Sequence, residues 1–228
     1  MILSIETSTD VCSVALSSEG KTLKSIEYMG APQHAARLAP MIQELMSQSS
    51  LTYRDLEAVA VSQGPGSYTG LRIGASTAKG IAYAAGIKLI AVPTLSIMAR
   101  AIFNADPECR IACPMIDARR MEVYTSLISR DGQIVLPTQA MVIDENSFGT
   151  ELAHNDVTFG GNGSDKCKQV ITSPRASFVS DIHPLAKDMA ELAYDRLQSG
   201  RTESVAYFEP FYLKEFVATT PKNKVLNF

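Results

Sequence analysis

Ile111-Ala112-Cys113-Pro114-Met115-Ile116-Asp117 is the stretch whose reading decides the fold, because the chain has already passed through the same pattern once. Displaced by 111 residues, Ile2-Leu3-Ser4-Ile5-Glu6 places Ile5 on Ile116, Glu6 on Asp117 and, further on, Leu16 on Leu127. In both places an apolar run of strand length ends in a carboxylate and a second apolar run comes after it. A turn, marked by Gly20 in one case and Asp131-Gly132 in the other, then leads into a third run. Farther along, Val157-Thr158-Phe159-Gly160-Gly161-Asn162-Gly163 repeats the strand-then-glycine order seen over 59–66. Self-similarity of this kind is the mark of an internal duplication. It predicts an α/β protein of two βββαβα halves, 1–105 and 106–228, facing each other across a cleft. Each half is expected to set its first-strand carboxylate at the cleft floor.

Outward from those strands the helices are set by periodicity. Pro32 precedes a stretch in which Ala35, Leu38, Ile42 and Leu45 share one helical face. A strand over 56–62 leads into Gln63-Gly64-Pro65-Gly66-Ser67-Tyr68-Thr69-Gly70, then into a helix predicted over 71–85 and ended by Gly86. Ile90-Ala91-Val92 reads as a strand, with Pro93 turning into a helix that runs to about Phe103. A further helix is predicted over 184–197. The aromatic segment Pro210-Phe211-Tyr212-Leu213 is expected to pack back on the first half, with 219–228 mobile.

Composition narrows the function. The 228 residues are 46% hydrophobic and 20% charged with a net charge of −3, which excludes a disordered or collagen-like chain and makes direct nucleic-acid binding by a basic surface a poor first reading. The four cysteines, at 12, 109, 113 and 167, form no Cys-x-x-Cys pair and read as free buried thiols. Met1-Ile2-Leu3 enters a strand without a basic leader, and no apolar run reaches the roughly 18 residues of a membrane helix, so a cytoplasmic protein without a membrane segment is expected.

Three places carry candidate chemistry. Glu6-Thr7-Ser8 opens a polar turn whose hydroxyls and N–H groups suit a phosphate, or simply form a hairpin of turn residues. Its repeat, Asp117-Ala118-Arg119-Arg120, favours a cleft once built for nucleotide, but puts two arginines where a phosphate loop wants small hydroxyl residues. With Gly160 and Gly161 from the second half, Glu6, Thr7, Ser8 and Asp117 make up a candidate vestigial nucleotide cleft. The loop over 64–70 lacks the Gly-Lys-Ser/Thr of a Walker loop, and Ser67 does not match Gly-x-Ser-x-Gly. His34, His154 and His183 form no general-base or metal pattern and read as surface or capping residues, so no catalytic and no metal-binding residue is assigned. In the helix over 71–85, Arg72, Ser76, Lys79 and Tyr83 form one narrow polar stripe among glycine, alanine and isoleucine. Such a helix asks for burial on nearly all sides, inside the chain or against a partner. The residues alone weigh the two about evenly; if a partner covers it, the candidate interface, with the neighbouring helix, is Met41, Leu71, Gly74, Ala75, Ala78 and Ala82.

Taken together, Ile2-Leu3-Ser4-Ile5-Glu6-Thr7-Ser8, the loop over 63–74, Val92-Pro93-Thr94-Leu95-Ser96, Asp117-Ala118-Arg119-Arg120-Met121-Glu122-Val123-Tyr124 and Pro210-Phe211-Tyr212-Leu213 resemble the bacterial TsaB (YeaZ) family from end to end. The resemblance implies the actin, sugar-kinase and heat-shock ATPase superfold, which is ribonuclease H-like. It implies a role in making N6-threonylcarbamoyladenosine at position 37 of tRNA. The family is a degenerate paralogue of the metal-binding transferase TsaD (Kae1). The resemblance therefore implies a non-catalytic activator that dimerises with TsaD through the pair of helices carrying Met41 and Ala78. TsaE joins in a larger complex, tRNA is reached only through that complex, and a homodimer of the chain alone is compatible with the family. No cofactor is required, though weak nucleotide binding is compatible with the fold. Where TsaD carries a motif similar to His-His-x-Glu-Gly-His, Leu95, Ser96 and Arg100 stand here, and a guanidinium cannot replace an imidazole ligand. Near Gln33-His34, Ala35 and Ala36 replace the family's Ser and Glu. Two rivals stay open at this point: a small phosphotransferase with Glu6 and Asp117 holding magnesium and nucleotide, and an M22 (glycoprotease-like) metallopeptidase.

Overall fold

A computed structural model describes residues 1–30 and 33–214; Pro32 and the tail over 219–228 lie outside the described residues. The first sheet holds β1 (Ile2–Glu6), β2 (Cys12–Ser18), β3 (Lys21–Tyr28), β4 (Ala58–Gly64) and β5 (Lys88–Pro93) in the order β3-β2-β1-β4-β5. The second holds β6 (Ile111–Asp117), β7 (Glu122–Ser129), β8 (Ile134–Val142), β9 (Val157–Gly160) and β10 (Ala176–Val179) in the order β10-β9-β6-β7-β8. Numbered within each half, the two orders are the same. In each, the first strand pairs antiparallel with the second and parallel with the fourth. The duplication and the two-lobed actin-like fold read from the sequence are the fold observed.

The central strands are apolar on both sides because both faces of each sheet are covered. On the first sheet, Leu3, Ile5, Val14, Val59 and Val61 pack against α1 (His34–Gln48) and α2 (Tyr68–Ala85). On the second, Met115, Val123, Leu127 and Phe159 pack with Leu152 of α4 (Gly149–His154) and with Phe148, Cys167 and Ile171. The remaining faces are covered crosswise. Helix α3 (Thr94–Ala105) continues directly from β5, yet lays Leu95, Met98, Ala99 and Ile102 on Ala112, Ile116 and Ile128 of the second sheet. Met189, with Ala193 and Leu197 of α5 (Ala190–Gln198), returns past the second sheet to Ile2, Ala58, Ala60, Ile90 and Val92 of the first. Arg100 of α3 and Glu191 of α5 are bridged at 2.8 Å where the two helices pass.

Some boundaries differ from expectation for local reasons. Helix α2 starts at Tyr68 because Ser67 caps it, its Oγ accepting the Gly70 N–H at 3.3 Å. It ends at Gly86 with φ +66°, the left-handed stop that glycine allows. The helix predicted over 184–197 is a 3-10 turn at Ala186–Met189 continued by α5, the turn being tied to β2 by the Ala186 N–H donating to Ser13 Oγ at 2.9 Å. All four cysteines are free and buried.

Candidate functional site

Two turns occupy equivalent places at the ends of β1 and β6, and their environments are opposite. Glu6, Thr7 and Ser8 have no exposed surface. The loop after β4, which contains the cis peptide Gly64–Pro65, and the first turns of α2 close over them. Ser67 N–H donates to Ser8 O at 2.6 Å, and Thr7 Oγ1 donates to Gly70 O at 2.8 Å. The fit depends on glycine. A Cβ at Gly66 would lie 2.3 Å from Ser8 O, one at Gly70 2.0 Å from Thr7 O, and one at Gly74 2.3 Å from Thr7 Oγ1. These glycines therefore bring two stretches of backbone together and leave no room between them for a phosphate.

Inside this seal Glu6 accepts the Ser8 N–H on Oε1, while Oε2 has no hydrogen-bond partner among the described residues. Burial disfavours its charge and pushes its pKa up to about 7, against the opposing influence of Ser8, Ser62 and Thr7. A shut-in carboxyl of this kind cannot hold magnesium at a cleft floor. His34, read from the sequence as a surface or capping residue, is buried at the start of α1, with Nε2 2.6 Å from Thr9 O. In the second half Gly160 and Gly161 are also closed in. Gly161, at φ +116°, would put a Cβ 2.3 Å from Met115 O, and Gly160 is walled by Ile102 and Ile182. Of the six residues expected to line a nucleotide cleft, Asp117 alone is open.

Asp117 is exposed at the mouth of a cleft of about 490 Å³ lined by Pro65, Gly66, Tyr68, Arg119, Tyr124 and Tyr212, among others. Its N–H donates to Asn162 Oδ1 at 2.9 Å, and its carboxylate pairs with Lys166 and accepts the Arg119 N–H at 3.1 Å. Arg119 and Arg120 both have left-handed backbones, φ +74° and +50°. The tail forms part of the rim. Phe211 N–H donates to Gln63 O at 2.7 Å, and the Tyr68 and Tyr212 rings lie 4.9 Å apart.

The six residues expected at a partner interface lie elsewhere than expected. Met41, Leu71, Gly74, Ala75, Ala78 and Ala82 are all buried, and Met41, Ala75, Ala78 and Ala82 belong to the core between α1, α2 and the first sheet. Small residues on α2 serve the close approach of the helix to its own β4 and to the Thr7 turn. Met46 of α1 is buried with them. The outward face is the one the polar stripe marked: Arg72 and Ser76 are exposed, as is Tyr83 at 83%. Beside that stripe Gly80, Ile81, Ala84 and Ala85 form, with Thr52, Tyr53 and Arg54, a groove of about 700 Å³. A Cβ at Gly80 would meet nothing within 4 Å. The sequence signal that finds this face is the stripe itself, read as the edge of an exposed surface.

At the start of α3, where the related transferases carry ligand histidines by resemblance, Leu95 and Met98 are core residues and Arg100 is paired with Glu191. These residues do not fit a metal ion, and among the described residues no group of three His, Cys, Asp or Glu side chains is placed to hold one.

A family model described as TsaD, tRNA N6-adenosine threonylcarbamoyltransferase, matches residues 28–222. The tRNA threonylcarbamoyladenosine biosynthesis protein TsaB of Escherichia coli (strain K12) is 33% identical over 225 residues, covering 95% of this chain and 96% of that protein. Its counterpart in Haemophilus influenzae is 31% identical over 226 residues, covering 95% and 94%. A crystal structure from Pseudomonas aeruginosa, described as an uncharacterized protein with similarity to peptidase YEAZ, superposes with a TM-score of 0.83 at 28% identity over 93% of this chain and 99% of that one.

Proposed function

The chain belongs to the TsaB (YeaZ) family of tRNA threonylcarbamoyladenosine biosynthesis proteins, and from that premise we propose that it serves the pathway as a non-catalytic activator that pairs with the transferase TsaD. The observation that carries this reading is the glycine seal over Glu6, Thr7 and Ser8. A phosphotransferase needs that turn open to phosphate and metal. Here it is closed by backbone, with its carboxyl pushed toward the neutral form at pH 7. The core residues Leu95 and Met98 at the start of α3 argue equally against metal-assisted peptide cleavage. The assembly is cytoplasmic in this reading, TsaE joins it in a larger complex, and no cofactor is needed; no helix among the described residues is long and apolar enough to cross a membrane.

The partner contact belongs on the outer face of α2, at the groove around Gly80, Ile81 and Ala84. A glycine facing open space on a helix lets a second helix approach closely, and apolar area buried there contributes roughly 25 cal/mol per Å² before the costs of association. Ala78→Arg is not a clean test, because Ala78 is core. Gly80→Arg is, since nothing lies within 4 Å to clash. Co-purification of the full chain with TsaD should succeed for the wild type and fail for a folded Gly80→Arg chain, with threonylcarbamoyladenosine in cellular tRNA falling in step. A folded Gly80→Arg chain that still retains TsaD puts the contact elsewhere. ATP hydrolysis by the isolated chain that Glu6→Ala abolishes restores the phosphotransferase.

A further inference from the structure

The turn after β6 has features that a scaffold does not require. Among the described residues only six that are not glycine have positive φ, and Arg119 and Arg120 are the two that stand side by side. Left-handed backbone is disfavoured for an ordinary side chain, and a long arginine gains nothing locally in return. The turn is nonetheless firmly braced. Ala118 N–H donates to Glu122 O at 3.1 Å, Glu122 N–H returns the bond to Arg119 O at 3.1 Å, and Asp117 and Asn162 hold the entry. Lys166 donates to Glu122 O at 2.7 Å from beneath.

Among the described residues the charges are arranged so that neither guanidinium group is neutralised. Asp117 pairs with Lys166 and Glu122 with Lys214, so the two carboxylates nearest the arginines already have lysine partners. The Arg119 and Arg120 side chains are exposed and have no hydrogen bond or ion pair among the described residues. Arg119 lines the 490 Å³ cleft, whose walls also carry Tyr68, Tyr124 and Tyr212. Across it Arg72 donates to Tyr68 Oη at 2.8 Å. In a chain of net charge −3 this is a local cationic and aromatic concentration.

We propose that this cleft rim binds a single strand of RNA, with Arg119 and Arg120 on backbone phosphates and the tyrosines against bases. Guanidinium groups match phosphate oxygens in a fixed fork, and unstacked RNA bases pack on aromatic faces. A free nucleoside triphosphate is the poorer occupant. The two deep positions that would cradle its phosphates, at Thr7–Ser8 and at Gly160–Gly161, are sealed, while Arg119 lines the open cleft and Arg120, next in the chain, is exposed. The choice of RNA rests on the proposed role in tRNA modification. The binding itself is measured on the chain alone, so its outcome is independent of whether TsaD is retained.

The test is fluorescence anisotropy of a labelled single-stranded RNA pentanucleotide against the full chain over a series of salt concentrations. The double variant Arg119→Gly, Arg120→Gly keeps the left-handed turn without strain, and circular dichroism checks its fold. Its RNA affinity should drop about tenfold or more. The slope of log K on log salt should become shallower by about 1.4, at about 0.7 for each phosphate no longer neutralised. Arg110→Ala, at the far end of β6, should bind as the wild type does. Unchanged affinity in the double variant overturns the proposal, as does a wild-type chain that binds no pentanucleotide. Binding of ATP that tracks the same variants and displaces the RNA reassigns the cleft to a mononucleotide.

Discussion

The turn after β1 and the turn after β6 descend from one duplicated plan, and they differ in the segment that comes after the fourth strand of each half. After β4 comes α2, eighteen residues long, and its glycines let it press onto Thr7 and Ser8 until both are shut from solvent. After β9 comes Gly161-Asn162-Gly163 and then a 3-10 turn of three residues, Asp165–Cys167. That short piece reaches only as far as Asp117, where Asn162 caps its N–H and Lys166 meets its carboxylate. One turn has become core and the other has stayed surface. A duplicated topology fixes where a carboxylate stands; the segment that lands on it decides whether it meets water.

The largest effect expected from this contrast is at Gly70. In Gly70→Ala the new Cβ meets a backbone carbonyl, Thr7 O, at 2.0 Å, and neither side can turn away. Urea or thermal unfolding should show a loss of more than about 3 kcal/mol. A loss under about 1 kcal/mol means that the seal is loose and that the two turns differ little in burial.

The second effect is a pH dependence carried by Glu6. Its folded pKa, about 7, lies above the ordinary 4.5, so over that window the unfolded chain binds fewer protons than the folded one. Stability is therefore fully present below about pH 4.5 and falls as pH rises through about 7, above which Glu6 adds no further slope. The drop is at most about 3 kcal/mol from Glu6. In Glu6→Gln the slope between about pH 6 and 7 should vanish, while Asp188, whose pKa burial raises from 3.8 to about 6, keeps a dependence of similar size at lower pH. Unfolding midpoints of both chains between pH 4 and 8 check it, and a slope unchanged in the variant contradicts a sealed carboxyl.

On the open side the same kind of change should matter less. Asn162→Ala removes the cap on the Asp117 N–H, which water can replace, and should cost about 1 kcal/mol or less in the same unfolding measurement. A cost above about 2 kcal/mol shows the second turn to be as integral to its lobe as the first. Smallest, and opposite in sign, is Gly80→Ala on the outer face of α2. With nothing near the added methyl it should stabilise the chain by about 0.5–1 kcal/mol through helix propensity. A destabilised Gly80→Ala chain means the outer face is not free.

The duplication was legible because strand length, the terminal carboxylate and the hairpin glycine are local features that survive in the order of residues. The polar stripe of α2 was legible for the same reason: Arg72, Ser76 and Tyr83 recur at helical spacing and stand exposed together. The sealing of Thr7 and Ser8 was not legible. Hydroxyls with glycines some way downstream read equally well as a phosphate cradle and as a close approach of two backbones, and only the path of the chain between them separates the two. The assignment of Gly74, Ala75 and Ala78 to a partner failed on the same ambiguity, since small residues permit close approach without naming what approaches. Arg119 and Arg120 stood out by charge, but their left-handed backbone is set by the bracing between Asp117, Asn162 and Glu122, residues 45 apart at the extreme.

The crosswise placing of α3 and α5 bears on how the molecule is made on the ribosome. When Pro93 has left the exit tunnel all five strands of the first sheet exist, but Ile2, Ala58, Ala60, Ile90 and Val92 still lack Met189, Ala193 and Leu197. About a hundred further residues must be synthesised before that face is covered, at roughly 5–20 residues per second. For those seconds the nascent first lobe shows water a stripe of aliphatic side chains that in the finished protein are almost wholly hidden. The exchange that binds the lobes together thus makes the growing chain a candidate for chaperone capture.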